Sequence, residues 1–120
     1  SESGVSQSVR IGEFFRENNI PIDIVLSSEW CRCKDTAKYA FGNYKSFYGL
    51  NSFYDEKFYQ FRDKQILDLK KFINNWKSEK NLILVTHYVV IFEMLNFAAS
   101  SGELMITKKN LELIGRIKTN

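Results

Sequence analysis

The sequence has one proline, one histidine and two cysteines in 120 residues, and each scarcity narrows its class. With few Pro and Gly and no repeat, collagen-like and low-complexity readings are excluded. Cys31 and Cys33 lie too close together for a relaxed disulfide with each other and are too few for a four-ligand zinc site. Each stays a thiol or pairs with a cysteine outside this sequence. No apolar run approaches the ~18 residues that a membrane span needs, because Asn81 to Thr86 and Tyr88 to Ala99 are interrupted by polar positions. An excess of one charge is also missing: 17 Lys and Arg against 14 Asp and Glu leave +3. These charges interleave, so neither a nucleic acid nor a membrane is expected as a partner. The opening Ser1-Glu2-Ser3-Gly4 is neither an initiator nor a charged-then-apolar leader, and an upstream segment is expected to have been removed.

What is present is core-forming material. Ten Phe, six Tyr and two Trp, with 44% hydrophobic and 26% charged residues, suit one globular domain over residues 1–120. Val5, Val9, Ile11, Phe14 and Phe15 form a helical stripe over Val5 to Asn18, with Ser3 as its N-cap. Ile22 to Leu26 reads as a strand feeding the polar Ser27-Ser28, and a helix runs from about Trp30 to Phe41, ending at Gly42. Asn43 to Phe61 lacks a sustained period; it reads as a loop with a short strand at Ser46 to Leu50, and as the lid or specificity region. The spacing of Ile66, Leu69, Phe72, Ile73 and Trp76 predicts an amphipathic helix over Asp63 to Ser78. Asn81 to Thr86 reads as a parallel strand buried on both faces, followed by a helix over about Val89 to Ala99. Glu103 to Thr107 and Leu111 to Lys118 form a hairpin candidate around Lys108-Lys109-Asn110. The pattern is that of an α/β domain: three α/β/α layers, a mainly parallel sheet and a C-terminal hairpin. Its ligand site is expected beyond the C-terminal ends of the parallel strands.

Two polar clusters fall at such ends. His87 stands between a strand and a helix, where the backbone N–H groups of the helix N-terminus favour an anion. Arg32 follows the first strand closely, and its planar fork suits a bidentate phosphate contact. Taken singly, each also fits a plain role: a histidine bonded to a neighbouring carbonyl, and a solvated surface arginine.

Together, Ser27-Ser28-Glu29-Trp30-Cys31-Arg32-Cys33-Lys34-Asp35-Thr36-Ala37 and Val85-Thr86-His87 resemble the S-S-x-x-x-R-x-x-x-T-A and V-T-H motifs of the histidine phosphatase superfamily, the phosphoglycerate mutase-like fold. Gly4, Gln7 and Gly12 resemble its L-S-x-x-G-x-x-Q-A-x-x-x-G segment, and Gly102-Glu103 its closing G-E strand. The resemblance implies a phosphomonoester hydrolase acting through a phosphohistidine, without cofactor or metal, on a phosphorylated small molecule or phosphoprotein. It assigns Arg32 as a phosphate clamp, His87 as the second, non-nucleophilic histidine, and the Tyr88 N–H as a further phosphate donor. The family's R-H-G strand, with its nucleophile, has no counterpart here. The resemblance therefore implies a domain lacking its first strand and inactive alone. The strands Ile22 to Leu26 and Leu82 to Val85 would then expose edges that hold an upstream peptide, pair with a second copy, or rearrange.

At the family's L-x-E acid position stands Leu50-Asn51-Ser52. A serine hydroxyl is too weak an acid for the role, which leaves Asp55 or Glu56 as the candidate general acid, against a plain reading of both as solvated loop residues. The alternative to a hydrolase is a noncatalytic phosphate- or phosphoprotein-binding module of the same fold. A third reading is an interaction domain with no phosphate affinity. The Ser-Ser-Glu-Trp-Cys-Arg-Cys wording further resembles a bacterial branch with leader peptides and an additional upstream cysteine. That points to a periplasmic or secreted protein, in which a disulfide from this pair would pin the arginine loop.

Overall fold

The computed structural model describes residues 1–119. Helix α1 (Glu2–Glu17) starts earlier than its apolar stripe, because the Ser1 hydroxyl accepts the Gly4 N–H at 3.1 Å and serves as N-cap in place of Ser3. Strand β1 (Ile22–Ser27) leads into α2 (Cys31–Phe41), which stops at Gly42 with φ +81°, a conformation costly for residues with a Cβ. The expected strand at Ser46 to Leu50 is displaced. A two-residue strand β2 forms at Lys45–Ser46, and Tyr48–Leu50 turns as a 3₁₀ helix pinned by the buried Gln65, whose side-chain amide donates to the carbonyls of Tyr48 and Asn51. The loop expected up to Phe61 also contains a short helix α3 (Glu56–Tyr59).

Helix α4 (Arg62–Asn75) ends before Trp76, whose backbone turns extended and whose indole N–H donates to Asp23 at 2.8 Å. Strand β3 (Asn81–Val85) precedes α5 (Tyr88–Leu95), which is shorter than its apolar pattern because Asn96 takes the left-handed conformation, φ 62°. Strands β4 (Leu104–Thr107) and β5 (Leu113–Ile117) close the chain as an antiparallel hairpin.

The main sheet has order β2-β1-β3, all parallel, and the hairpin forms a separate sheet. Leu26, Leu50, Phe53, Ile66, Leu69, Ile73 and Val90 make the core between this sheet and α4 and α5, with Leu82 and Leu84 packed against it. Helices α1 and α2 pack together across the other face. Their approach is close: a Cβ built on Gly12 would lie 2.1 Å from the Ala40 carbonyl oxygen.

Two expectations are corrected. The β1 edge is closed only in part: β2 pairs with Leu26 and Ser27, whereas Ile22 to Val25 keep an unpaired edge on that side. Strand β3 is apolar as expected, but Leu82 to Val85 are only half-buried, since the flank away from β1 is open. Among the described residues no helix is long and apolar enough to cross a membrane.

The hairpin is tied back by ionic bonds. Arg116 donates to both Glu103 carboxylate oxygens (2.8 and 2.9 Å) and to the Ala98 carbonyl, while Glu103 also accepts the Ser100 N–H. These bonds hold the Glu103 carboxyl down to about 2, with the Arg116 hydrogen bonds the largest cause. A carboxyl lowered by folding stabilises the native state above its unfolded pKa, and that contribution fades as pH falls from about 4.5 toward 2. Thermal unfolding of Glu103→Gln against the parent is therefore expected to show a deficit at pH 7 that shrinks on acidification through this window.

Candidate functional site

The site is built where β1 and β3 end. In the sheet Ser27 stands beside Val85, and the Ser28 N–H donates to the Val85 carbonyl at 2.9 Å, so both strands deliver their next residues to one place. Ser28 is fully buried and acts as its hub. Its hydroxyl oxygen lies 2.9 Å from His87 Nε2, accepts the Trp30 N–H at 3.1 Å, and lies 3.2 Å from Asn51 Oδ1. Asn51 Oδ1 also accepts the Glu29 N–H at 2.8 Å, and its amide nitrogen donates to the Glu29 carboxylate. Thr86 donates to the Leu50 carbonyl at 2.6 Å, tying the β3 end to the same loop.

His87 is the N-cap residue of α5, and Trp30 that of α2; neither side chain bonds its own helix. The Cys33 and Val90 N–H groups bond the carbonyls of Trp30 and His87, while the N–H groups of Cys31 and Arg32 in α2 and of Tyr88 and Val89 in α5 precede the first intrahelical bonds at the strand ends. The Trp30 indole packs edge-on against the His87 ring, centroids 5.0 Å apart, and against Phe58 at 6.0 Å. Cys33, buried in the first turn of α2, brings its sulfur within 3.6 Å of His87 Nε2. Burial pushes the Cys33 thiol up, against the smaller pull of Ser28 and Arg32.

Arg32 occupies the first turn of α2 rather than a loop, and is exposed. Its charge acts on both Cys33 and His87. His87 is held below its ordinary value, first by burial and second by the Arg32 guanidinium. Folding then resists protonation of this ring: stability is complete above the unfolded value of about 6.5 and falls as pH drops below it. Chemical denaturation between pH 8 and 5.5 is expected to show this loss in the parent and not in His87→Gln. Saturating phosphate should reduce it, because a bound anion favours the protonated ring.

The expected lid arches over this place: Phe58 meets Trp30, and Tyr54 stacks near Tyr88 at 6.2 Å. Tyr88 opens α5 with its side chain exposed, so its N–H belongs to the anion-favouring turn. Asp55, however, is the N-cap of α3 and accepts the Lys57 N–H at 3.0 Å, while Glu56 is exposed in the next position. Ser52 is buried and its hydroxyl accepts the Tyr54 N–H. Arg32, His87 and Tyr88 lie at the same strand ends, and beside them stands Asn51, which the sequence reading did not single out and which bonds Ser28 and Glu29. The signal available was an Asn in a loop, a residue whose side chain commonly bonds nearby backbone.

Both cysteines are free thiols, Cys31 exposed and Cys33 buried. Among the described residues no group of three or more His, Cys, Asp or Glu is placed to hold a metal ion. A hollow of about 520 Å³ bounded by Gly12, Arg16, Val25 and Tyr44 lies elsewhere, and includes none of Ser28, Arg32 or His87.

These elements define a layered α/β domain with a parallel sheet and a polar site at its strand ends. Among solved structures the chain is similar in fold to the product of open reading frame Rv3214 of Mycobacterium tuberculosis, with a TM-score of 0.57 at 16% identity, over 85% of this chain and 69% of that one. No family model and no curated protein matches it.

Proposed function

We propose that the strand-end site receives a phosphate group and that the protein is a phosphomonoester hydrolase of the histidine phosphatase, phosphoglycerate mutase-like kind, passing through a phosphohistidine. The carrying observation is the convergence of two helix N-termini on Arg32 and His87 at the ends of adjacent parallel strands. Arg32 supplies a planar fork of donors, and the Tyr88 N–H adds a donor at the start of α5. His87, held by Ser28, contributes a further donor to an equatorial oxygen once protonated. Such groups stabilise the charge of a transferring phosphoryl group, which is the main demand of this chemistry. The attacking nitrogen would come from a histidine outside these residues, since His87 is the only one among them. It takes the phosphoryl group from the ester oxygen and passes it to water. The 120 residues alone are accordingly expected to bind phosphate without turnover. The proposed ligand is a phosphorylated small molecule or phosphoprotein, and the reaction calls on no cofactor.

A second reading, a phosphate-binding module without catalysis, is favoured by the acid positions: Ser52 and Asp55 both spend their side chains on local backbone N–H groups. The deciding experiment pairs two measurements. Inorganic phosphate and vanadate are titrated into this chain while the amide signals of Arg32 and Tyr88 are followed, and an aryl phosphate is offered to this chain and to the longest gene product containing it. Binding with turnover in the longer product supports the hydrolase, and binding without turnover in either supports the module. Absence of binding overturns both.

A further inference from the structure

Three polar groups meet the buried Ser28 hydroxyl oxygen: the Trp30 N–H at 3.1 Å, Asn51 Oδ1 at 3.2 Å and His87 Nε2 at 2.9 Å. A hydroxyl has a single proton to give and two lone pairs with which to accept. The Trp30 N–H can only donate, so it occupies one lone pair. Asn51 Oδ1 can only accept: the Glu29 N–H at 2.8 Å fixes that atom as the oxygen, and the amide nitrogen is committed to the Glu29 carboxylate. It therefore takes the Ser28 proton. What is left for His87 is a lone pair, which only a protonated ring nitrogen can use. Were the Ser28 proton turned to His87 instead, two oxygens would face each other at 3.2 Å with no proton between them. The Cys33 sulfur, 3.6 Å from Nε2, adds only a weak further partner. Neutral His87 accordingly carries its proton on Nε2.

Its other ring nitrogen then presents a lone pair. His87 bonds through Nε2 alone and makes no side-chain bond to α5. Among the described residues no buried side-chain nitrogen or oxygen lacks a partner, so Nδ1 is open to solvent. A lone pair there repels an approaching phosphate dianion unless a proton comes between them. We propose that Asn51 is a positioning residue: by holding the Ser28 proton it fixes His87 in its Nε2–H form, so that the site takes up a phosphate group together with a proton shared between Nδ1 and a phosphate oxygen. The proton comes from solvent and no bond to phosphorus changes. The charged and titratable groups around the ring are Arg32 and Cys33 of α2, with Glu29 beyond Asn51, and none of them bonds Nδ1. The proton uptake rests on the phosphate reading, whereas the placement of the His87 proton stands without it.

His87 is the single histidine of the chain, so its ring-nitrogen NMR signals are unambiguous. At pH 8, where the ring is neutral, the parent is expected to show the Nε2–H form. Asn51→Leu, close in shape but without an acceptor, should shift toward the Nδ1–H form, and Asn51→Asp, which keeps an acceptor oxygen, should not. Calorimetric titration with inorganic phosphate in two buffers of different ionisation heat should show uptake of about one proton per phosphate in the parent, and less than about half of that in Asn51→Leu. The Nδ1–H form in the parent, an unshifted ring in Asn51→Leu, or the same shift in Asn51→Asp overturns the proposal. Phosphate bound by the parent without proton uptake overturns it as well, and leaves the phosphate reading standing. Absence of phosphate binding removes that reading and the proposed uptake together. Should Asn51→Leu fail to fold by circular dichroism, Asn51→Ala takes its place, and the parent spectrum decides the position of the proton in either case.

Discussion

Arg32→Ala is expected to weaken inorganic phosphate binding by about ten- to a hundredfold, the range of lost charge-assisted hydrogen bonds worth about 1.5–3 kcal/mol. Melting temperature should change little, because Arg32 is exposed and its guanidinium makes no hydrogen bond or ion pair among the described residues. Calorimetric titration beside a thermal melt separates the two effects. Arg32→Lys should lose part of the affinity, since an ammonium keeps the charge but not the planar fork. A second readout follows from the neighbouring ring: removing the guanidinium relieves the lesser of the two influences that depress His87. The histidine titration in Arg32→Ala should therefore move up toward 6.5 without reaching it, because burial remains. Unchanged phosphate affinity with unchanged His87 titration would remove Arg32 from the site.

The largest stability effect is expected at Gly12. A methyl group there would sit 2.1 Å from the backbone oxygen of Ala40, an overlap that no rotamer change of Ala40 relieves. Gly12→Ala should cost about 3 kcal/mol, at the upper end of ordinary overpacking, and lower the melting temperature by roughly 10 °C. Gly42 is the informative contrast, since a Cβ there meets nothing within 4 Å but the backbone has φ +81°. Gly42→Asn should be tolerated better than Gly12→Asn, because Gly42 carries only a backbone cost at φ 81° and ψ −69°, whereas Gly12 lacks room for any side chain. Equal losses at the two positions would refute this division.

The sequence displayed the periodic elements well. The stripe through Ile66, Leu69 and Ile73 marked α4, and the run from Leu82 to Val85 marked β3, because burial imposes a period that composition reveals. Element ends were less legible. Helix α1 begins at a serine two residues before the expected cap, and α5 stops at Asn96 although Phe97 to Ala99 continue its apolar character. Strand β2 was nearly invisible: two residues paired to Leu26 and Ser27 carry no period of their own, and tertiary pairing alone defines them. The positions of Arg32 and His87 at the strand ends were legible, since strand–loop–helix order fixes them. Asn51 and the Cys33 sulfur beside His87 were not, because each enters through a fold contact remote in sequence.

The edge-on packing of Trp30 against His87 has an optical consequence. An imidazolium five ångströms from an indole accepts an electron from its excited state, whereas neutral imidazole does so poorly, so Trp30 emission should dim as the ring gains its proton. The other indole, Trp76, is bonded to Asp23 at the opposite end of the strands and supplies a steady background. The protein thus carries a built-in fluorescent gauge of the protonation of its own site, readable without any label by comparing the parent with Trp76→Phe.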